Sequence, residues 1–341
     1  MENRKGYISV IALIIMSVLM IMSLYLGYII KLEHFILEST TDNIQAYYYS
    51  EGKILMSLLE GKYYDNQLCP MLEEHFRSLP FPTFTKDIVI DEEDLEQGDD
   101  MKKVKVVITE KDGKKVLKLI SDSNMKGLKA KVTSTVSLFN ELVDNGKSPL
   151  LPNLVLDFQK KDFNLLLNKI IKDIDIHNCN RPSNIYGMES SMYSRIDLYK
   201  KGSKFVIAAS RDNMQEPYIE EFAGKAMFLV AKKYDETPVN FFVGDSSNLE
   251  VDISGVLFVE GNLIITSKFK FNGIIVVVNG GIIIDTLERP SIKGLLISDE
   301  LLDHNYLSEK ADIAYDRFSI YKYGTLVPGF LEPKINLMKS D

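Results

Sequence analysis

Cysteine is nearly absent: the 341-residue chain holds two, Cys69 and Cys179, and neither lies in a CxxC pair. That excludes a disulfide-dense scaffold and leaves room for one bridge at most. Histidine is scarce too, with His34, His75, His177 and His304 as the full set. No phosphate-cradling glycine loop, paired-histidine zinc helix or nucleophile-elbow motif is found, so no enzyme class is indicated by motif. Basic residues do not dominate: 40 Lys+Arg against 48 Asp+Glu give a net charge of −8. A general nucleic-acid binder needs a basic face to neutralise phosphates, so no nucleic-acid partner is expected. At 45% hydrophobic and 26% charged, the composition is that of a folded protein.

Charge is missing altogether from one stretch, Tyr7 to Ile30, 24 residues in a row. As a helix this run spans about 36 Å, enough for a hydrocarbon core of about 30 Å. It is too long for the apolar core of a secretory signal peptide, and no small-residue cleavage site follows. Arg4 and Lys5 precede it; Lys31, Glu33, His34 and Glu38 follow it. The positive-inside rule then places the N-terminus in the cytoplasm and the rest outside. Leu37, Ile44, Tyr48, Leu55 and Leu59 continue a helical spacing, with Gly61 as the expected cap, so a helix over 7–60 is predicted with an apolar stripe needing cover.

A basic leader ending in Gly6, an apolar helix starting at Tyr7, and the stretch Gln45-Ala46-Tyr47-Tyr48-Tyr49-Ser50-Glu51-Gly52 together resemble type IV pilins and pseudopilins, the PilX-type minor pilins above all. The resemblance covers roughly residues 1–60. It implies a leader peptide over 1–6, cut between Gly6 and Tyr7 by a membrane-embedded prepilin peptidase, and packing of the helix with other pilin-like subunits. Major pilins carry a carboxylate at the fifth position after the cut; here that position is Ile11. An unpaired carboxylate in an apolar core is costly, so an apolar residue suits a minor or initiating subunit. Glu51 matches the family's helix carboxylate, and an exposed helix residue is an equal reading of it. The other reading of the whole segment is an uncleaved signal-anchor.

Residues 91–100 hold seven carboxylates. They lack the spacing of a calcium loop and read as a solvated connector. Val104–Ile108 and Val116–Ile120 flank Asp112-Gly113, a hairpin signal. A third strand follows, with Leu128, Ala130, Val132, Val136 and Leu138 on one face. This meander is expected to pack on the outer half of the helix, making a pilin-like helix-plus-sheet domain over 31–145 after a transmembrane helix over 7–30. An α/β connecting region over 146–237 includes a helix whose face is Phe163, Leu166, Leu167, Ile170, Ile171 and Ile174. After it come Asp173, Asp175, His177, Asn178, Cys179 and Asn180, which read as turn residues more readily than as metal ligands.

The last region, 238–341, is mostly β. Gly255, Gly273 and Gly294 each lead an apolar run, 18 and 21 residues apart. A repeat near 20 residues suggests coils of a small parallel solenoid; a small antiparallel sheet is the alternative. Ala311–Asp341, with Tyr315, Phe318, Tyr321 and Tyr323, reads as a segment wrapped on it. Asp299, Glu300, Asp303 and His304 stand near these strands, but nothing ties them to one site. The fold class expected is α+β: a long N-terminal helix on an antiparallel sheet, then short glycine-spaced strands. No cofactor, metal or enzymatic activity is expected. The function expected is that of a minor pilin-like subunit; a permanently anchored surface-binding protein is the alternative.

Overall fold

The computed structural model describes residues 3–78, 84–95, 99–177, 181–211, 214, 216–233, 236–245, 249–300 and 304–340. The chain is α+β. Its first element, α1 (Asn3–Leu59), is 57 residues long, about 85 Å at 1.5 Å per residue. It ends one residue before the expected point, and Gly61 opens a short α2 (Gly61–Tyr63) rather than capping. A π-type turn leads into α3 (Cys69–Arg77), whose first turn takes Pro70, where a missing N–H costs nothing.

Five strands make the first sheet: β1 (Phe84–Val89), β2 (Lys103–Lys111), β3 (Lys114–Met125), β4 (Leu128–Phe139) and, from the far end of the chain, β16 (Leu331–Ser340). They run antiparallel in the order β1-β2-β3-β4-β16. Asp112 and Gly113 have positive φ, 53° and 73°, and form the two-residue turn between β2 and β3 that matches strand twist. Alternation sends Val106, Leu119, Val132 and Val136 to one face, where Ile54, Tyr63, Leu72 and Phe76 of the helices cover them. Each such fully buried aliphatic or aromatic side chain contributes about 1.5–3 kcal/mol.

After a connecting segment come α4 (Lys160–Asp173), β5 (Tyr186–Ser190), β6 (Arg195–Lys201), β7 (Lys204–Ser210), β8 (Tyr218–Phe222), β9 (Ala226–Ala231), β10 (Val239–Val243), β11 (Val251–Ile265), β12 (Phe269–Val278), β13 (Ile282–Ile284), β14 (Ser291–Ser298), α5 (His304–Lys310), β15 (Asp312–Ala314) and α6 (Arg317–Gly324). One layer is parallel throughout: β5-β9-β11-β12-β14-β15. In the facing layer β6, β10, β11 and β13 are parallel, while β7 and β8 fold on antiparallel. Strand β11 serves both layers, turning the corner at Gly261, whose φ is +153°.

The glycine spacing has a direct cause. Gly255 pairs with Gly273, and Gly273 with Gly294, in successive coils. A Cβ on Gly273 would lie 1.9 Å from the Gly255 carbonyl oxygen, and one on Gly294 1.9 Å from that of Gly273. Only glycine lets these backbones approach at such φ values. Side chains inside the coils, among them Leu257, Ile275, Leu296, Phe241 and Ile265, form one core. Those facing out, Phe228, Phe258, Val276 and Ile297, form a second core beneath α4 and α6. That two-sided cover is why the runs are apolar at consecutive positions.

Sheet membership departs from the division at 145/146 and 237/238. Strands β5 and β9 already belong to the parallel layer, and β16 returns to the first sheet. The tail over 311–341 therefore does two things: α6 packs on the outer face of the coils, and β16 closes the edge of β4. Pro217 precedes the strand β8, not a helix.

Candidate functional site

Helix α1 is the element whose surface the rest of the chain leaves unsatisfied. Its uncharged half is almost wholly uncovered: residues 7–28 are all exposed, with Tyr7 at 70% and Ile11 at 38%, and Ile29 is half-buried. It is the one helix among the described residues long and apolar enough to cross a membrane. Gly6 lies in its first turns.

The head buries α1 only from Asp42 onward, with Lys126 reaching back to Glu38 at 3.7 Å. The buried positions are Asp42, Ala46, Ser50, Lys53, Ile54 and Ser57, one face of the helix at spacings of three and four. This face is small and polar. Ser50 donates to the carbonyl of Ala130 at 3.3 Å, and Ser123 donates to that of Ala46. Lys126, at the tip of the β3–β4 hairpin, reaches Asp42 at 3.1 Å. The expected contact was the opposite one. Leu37, Ile44, Tyr48 and Leu59 stay 51–78% exposed, and Leu55 half-buried, on the face turned away from the sheet. Small side chains allow the helix backbone to approach the sheet; the bulky stripe would hold it off.

Lys53 is the centre of the grip. Its side chain is 2% exposed, and the ammonium donates to Asp99 Oδ2 at 2.7 Å, the Met101 carbonyl at 2.7 Å and the Asp122 carbonyl at 2.5 Å. All three of its donors are used. The other Asp99 oxygen accepts from the backbone N–H of Met101 at 3.0 Å and of Asn124 at 3.3 Å. The sequence reading missed this pair, since Asp99 sits in the acidic run and its depth is set by folding. A lone lysine in the middle of an otherwise acidic amphipathic helix was the available signal.

The first four carboxylates of the acidic run are held by cations, Glu92 by Lys102. Lys62 pairs with Asp91 at 2.6 Å, Glu93 at 3.1 Å and Asp94 at 2.8 Å, and these carboxylates raise its pKa. Asp94 is lowered by Lys62 and by the hydroxyl of Tyr63, which donates to it. Glu51 is half-buried, with no ion pair among the described residues. Of the three tyrosines, Tyr48 is exposed and Tyr47 packs edge-on against it at 5.6 Å.

His34 is exposed, with Nδ1 at 3.9 Å from Glu38. His75 is buried in the first core, where burial and then the charge of Lys115 lower its pKa. His177 stands with Asp175 and Glu189, their potential ligand atoms within 4.8 Å of one another, though Lys232 already occupies Glu189 at 2.6 Å. Asn178, Cys179, Asn180 and Asp303 lie outside the described residues. Cys69 is a free thiol, its pKa pushed up to about 11 by burial and by the carboxylates of Glu73 and Asp65. Asp299 accepts from the backbone N–H of Asn279 at 2.9 Å, and Glu300 lines a shallow groove with Gly281.

No family model matches the chain, and no curated protein matches it. Among solved structures, a match is found to the competence-associated pilin ComZ from Thermus thermophilus. Identity is 10%, with 88% of this chain and 98% of that chain covered, at a TM-score of 0.24. That score is too low to bear on the function of this chain.

Proposed function

We propose that the chain is a minor pilin-like structural subunit that takes part in assembling or priming a type IV pilus or a related secretion or competence filament. The observation that carries this reading is the division of α1. Tyr7–Ile30 is apolar and almost wholly uncovered, and the half gripped by the head is gripped through one face of small and polar residues with Ile54 in the core beside them. A helix so held projects rigidly from its head, and only a bilayer or a bundle of similar helices satisfies its outer half.

On this reading the protein sits in the cytoplasmic membrane with a single span, N-terminus inside and head outside. Its partners are the membrane, a prepilin peptidase and other pilin-like subunits. The peptidase removes residues 1–6 by cutting between Gly6 and Tyr7, because Arg4 and Lys5 cannot enter an apolar core without counter-charges. Ile11 leaves no carboxylate to pair in that core, which suits a subunit at or near a tip.

The intact mass of the membrane-extracted protein tests this. With an active prepilin peptidase the chain should lose residues 1–6, and Gly6→Leu should retain them and fail to assemble. A native chain that still begins at Met1 beside a working peptidase points instead to a permanently anchored surface-binding protein.

A further inference from the structure

Helix α4 has a second face. Phe163, Leu166, Leu167 and Ile170 pack inward over the parallel layer. Phe158, just before the helix, then Lys161, Leu165, Lys169 and Lys172 recur at three- and four-residue steps on the opposite side, and all five are exposed. Phe158 is 76% and Leu165 58% exposed. Lys161, Lys169 and Lys172 have no ion-pair partner among the described residues, whereas the neighbouring Lys160 is held by Asp157 at 2.7 Å. Asp162 and Asp173 lie to one side of this stripe rather than in it.

The face of α1 away from its buried positions has the same pattern with the charge reversed. Tyr48, exposed, and Glu51 and Leu55, half-buried, stand three and four residues apart, as do Phe158, Lys161 and Leu165. Glu33 and Glu51 are the charges of that α1 face; Lys53 is buried on the other side. Apolar residues seven apart with a charge between them pair well across two helices when the charges are opposite.

We propose that the Phe158–Lys161–Leu165 stripe receives the Tyr48–Glu51–Leu55 stripe of a second copy of this chain, with Lys161 opposite Glu51. Within one copy the stripes cannot meet, because each helix is fixed by its other face, α1 on the first sheet and α4 on the parallel layer. The contact joins two different surfaces: a head-to-tail pair leaves one stripe free on each copy, whereas a two-fold pair engages all four. This inference rests on the assembly reading and adds to it the surface of the head that meets the neighbouring helix.

The test uses the full chain, leader removed, reconstituted in lipid vesicles as a mixture of light and heavy isotope forms. Zero-length carbodiimide coupling should yield a Glu51–Lys161 link between light and heavy copies. Lys161→Glu or Glu51→Lys alone should reduce that association by roughly tenfold, and the two together should restore it. All sites are on the outer faces of helices, and unchanged circular dichroism and melting will verify the fold of each variant. Inter-copy links at other positions, or a double reversal that restores nothing, overturn the proposal. If reversal has no effect while Ile14→Asp in the apolar half abolishes association, the docking surface is wrong and the assembly reading stands. If no copies associate at all, both fall.

Discussion

Replacing Lys53 by methionine tests how the head holds α1. Methionine fills most of the stem's space, so the change isolates the ammonium. Its loss leaves Asp99, whose side chain is 1% exposed, as a buried carboxylate with two backbone N–H donors and no cation, and takes a donor from the carbonyls of Met101 and Asp122. Breaking one side of a buried ion pair costs about 3–5 kcal/mol. Against a whole-domain stability of about 5–15 kcal/mol, that is a large share. Asp99→Asn in the same chain removes the stranded charge, so the double variant should recover part of the loss, with a coupling of about 1–3 kcal/mol. Urea denaturation of the full chain in detergent, followed by tyrosine circular dichroism, gives the stability. Hydrogen exchange at residues 42–57 should rise first, because Lys53 pins that stretch of the helix to the sheet. The exposed Lys118→Met is the control. If Lys53→Met shifts the midpoint no more than that control, the pair does not hold the helix.

Gly273→Ala should destabilise the coils by about 3 kcal/mol or more, since its Cβ would meet backbone at 1.9 Å at a φ of +152°. Gly127→Ala, at a positive φ but with nothing within 4 Å, should cost about 1 kcal/mol; equal melting temperatures for the two would refute the ladder argument. Burial holds His75 below its ordinary 6.5, so the unfolded chain takes up a proton that the folded head does not. Stability should therefore fall as pH drops from about 6.5 toward the lowered folded value, and His75→Leu should flatten that dependence in urea midpoints at about pH 7 and 5.5. Glu73, raised by burial, acts in the opposite sense, so the comparison with the His75 variant is the readout. Chelation should leave the melting temperature unchanged, because Lys62 already occupies the space between Asp91, Glu93 and Asp94; a rise on adding calcium would show a site there.

Much of this protein is written in local pattern. Twenty-four uncharged residues dictate a helix that water alone does not satisfy. Asp112-Gly113 between β-branched runs dictates a hairpin, because few residues reach that turn's φ values. Glycines 18 and 21 residues apart mark equivalent positions in successive coils, because backbone passes there too close for a Cβ. These signals need no partner distant in the chain. Tertiary structure alone decided which face of α1 the head takes. Counting apolar residues pointed to Leu37, Ile44 and Tyr48; close approach to the sheet selected Ala46, Ser50 and Ser57, and left the greasy stripe outside. It alone drew Asp99 out of an acidic run to bury it on Lys53, and brought β16 back to β4 across some 190 residues. Pairings of that span depend on which edges remain open after the rest has folded, and no local pattern encodes them.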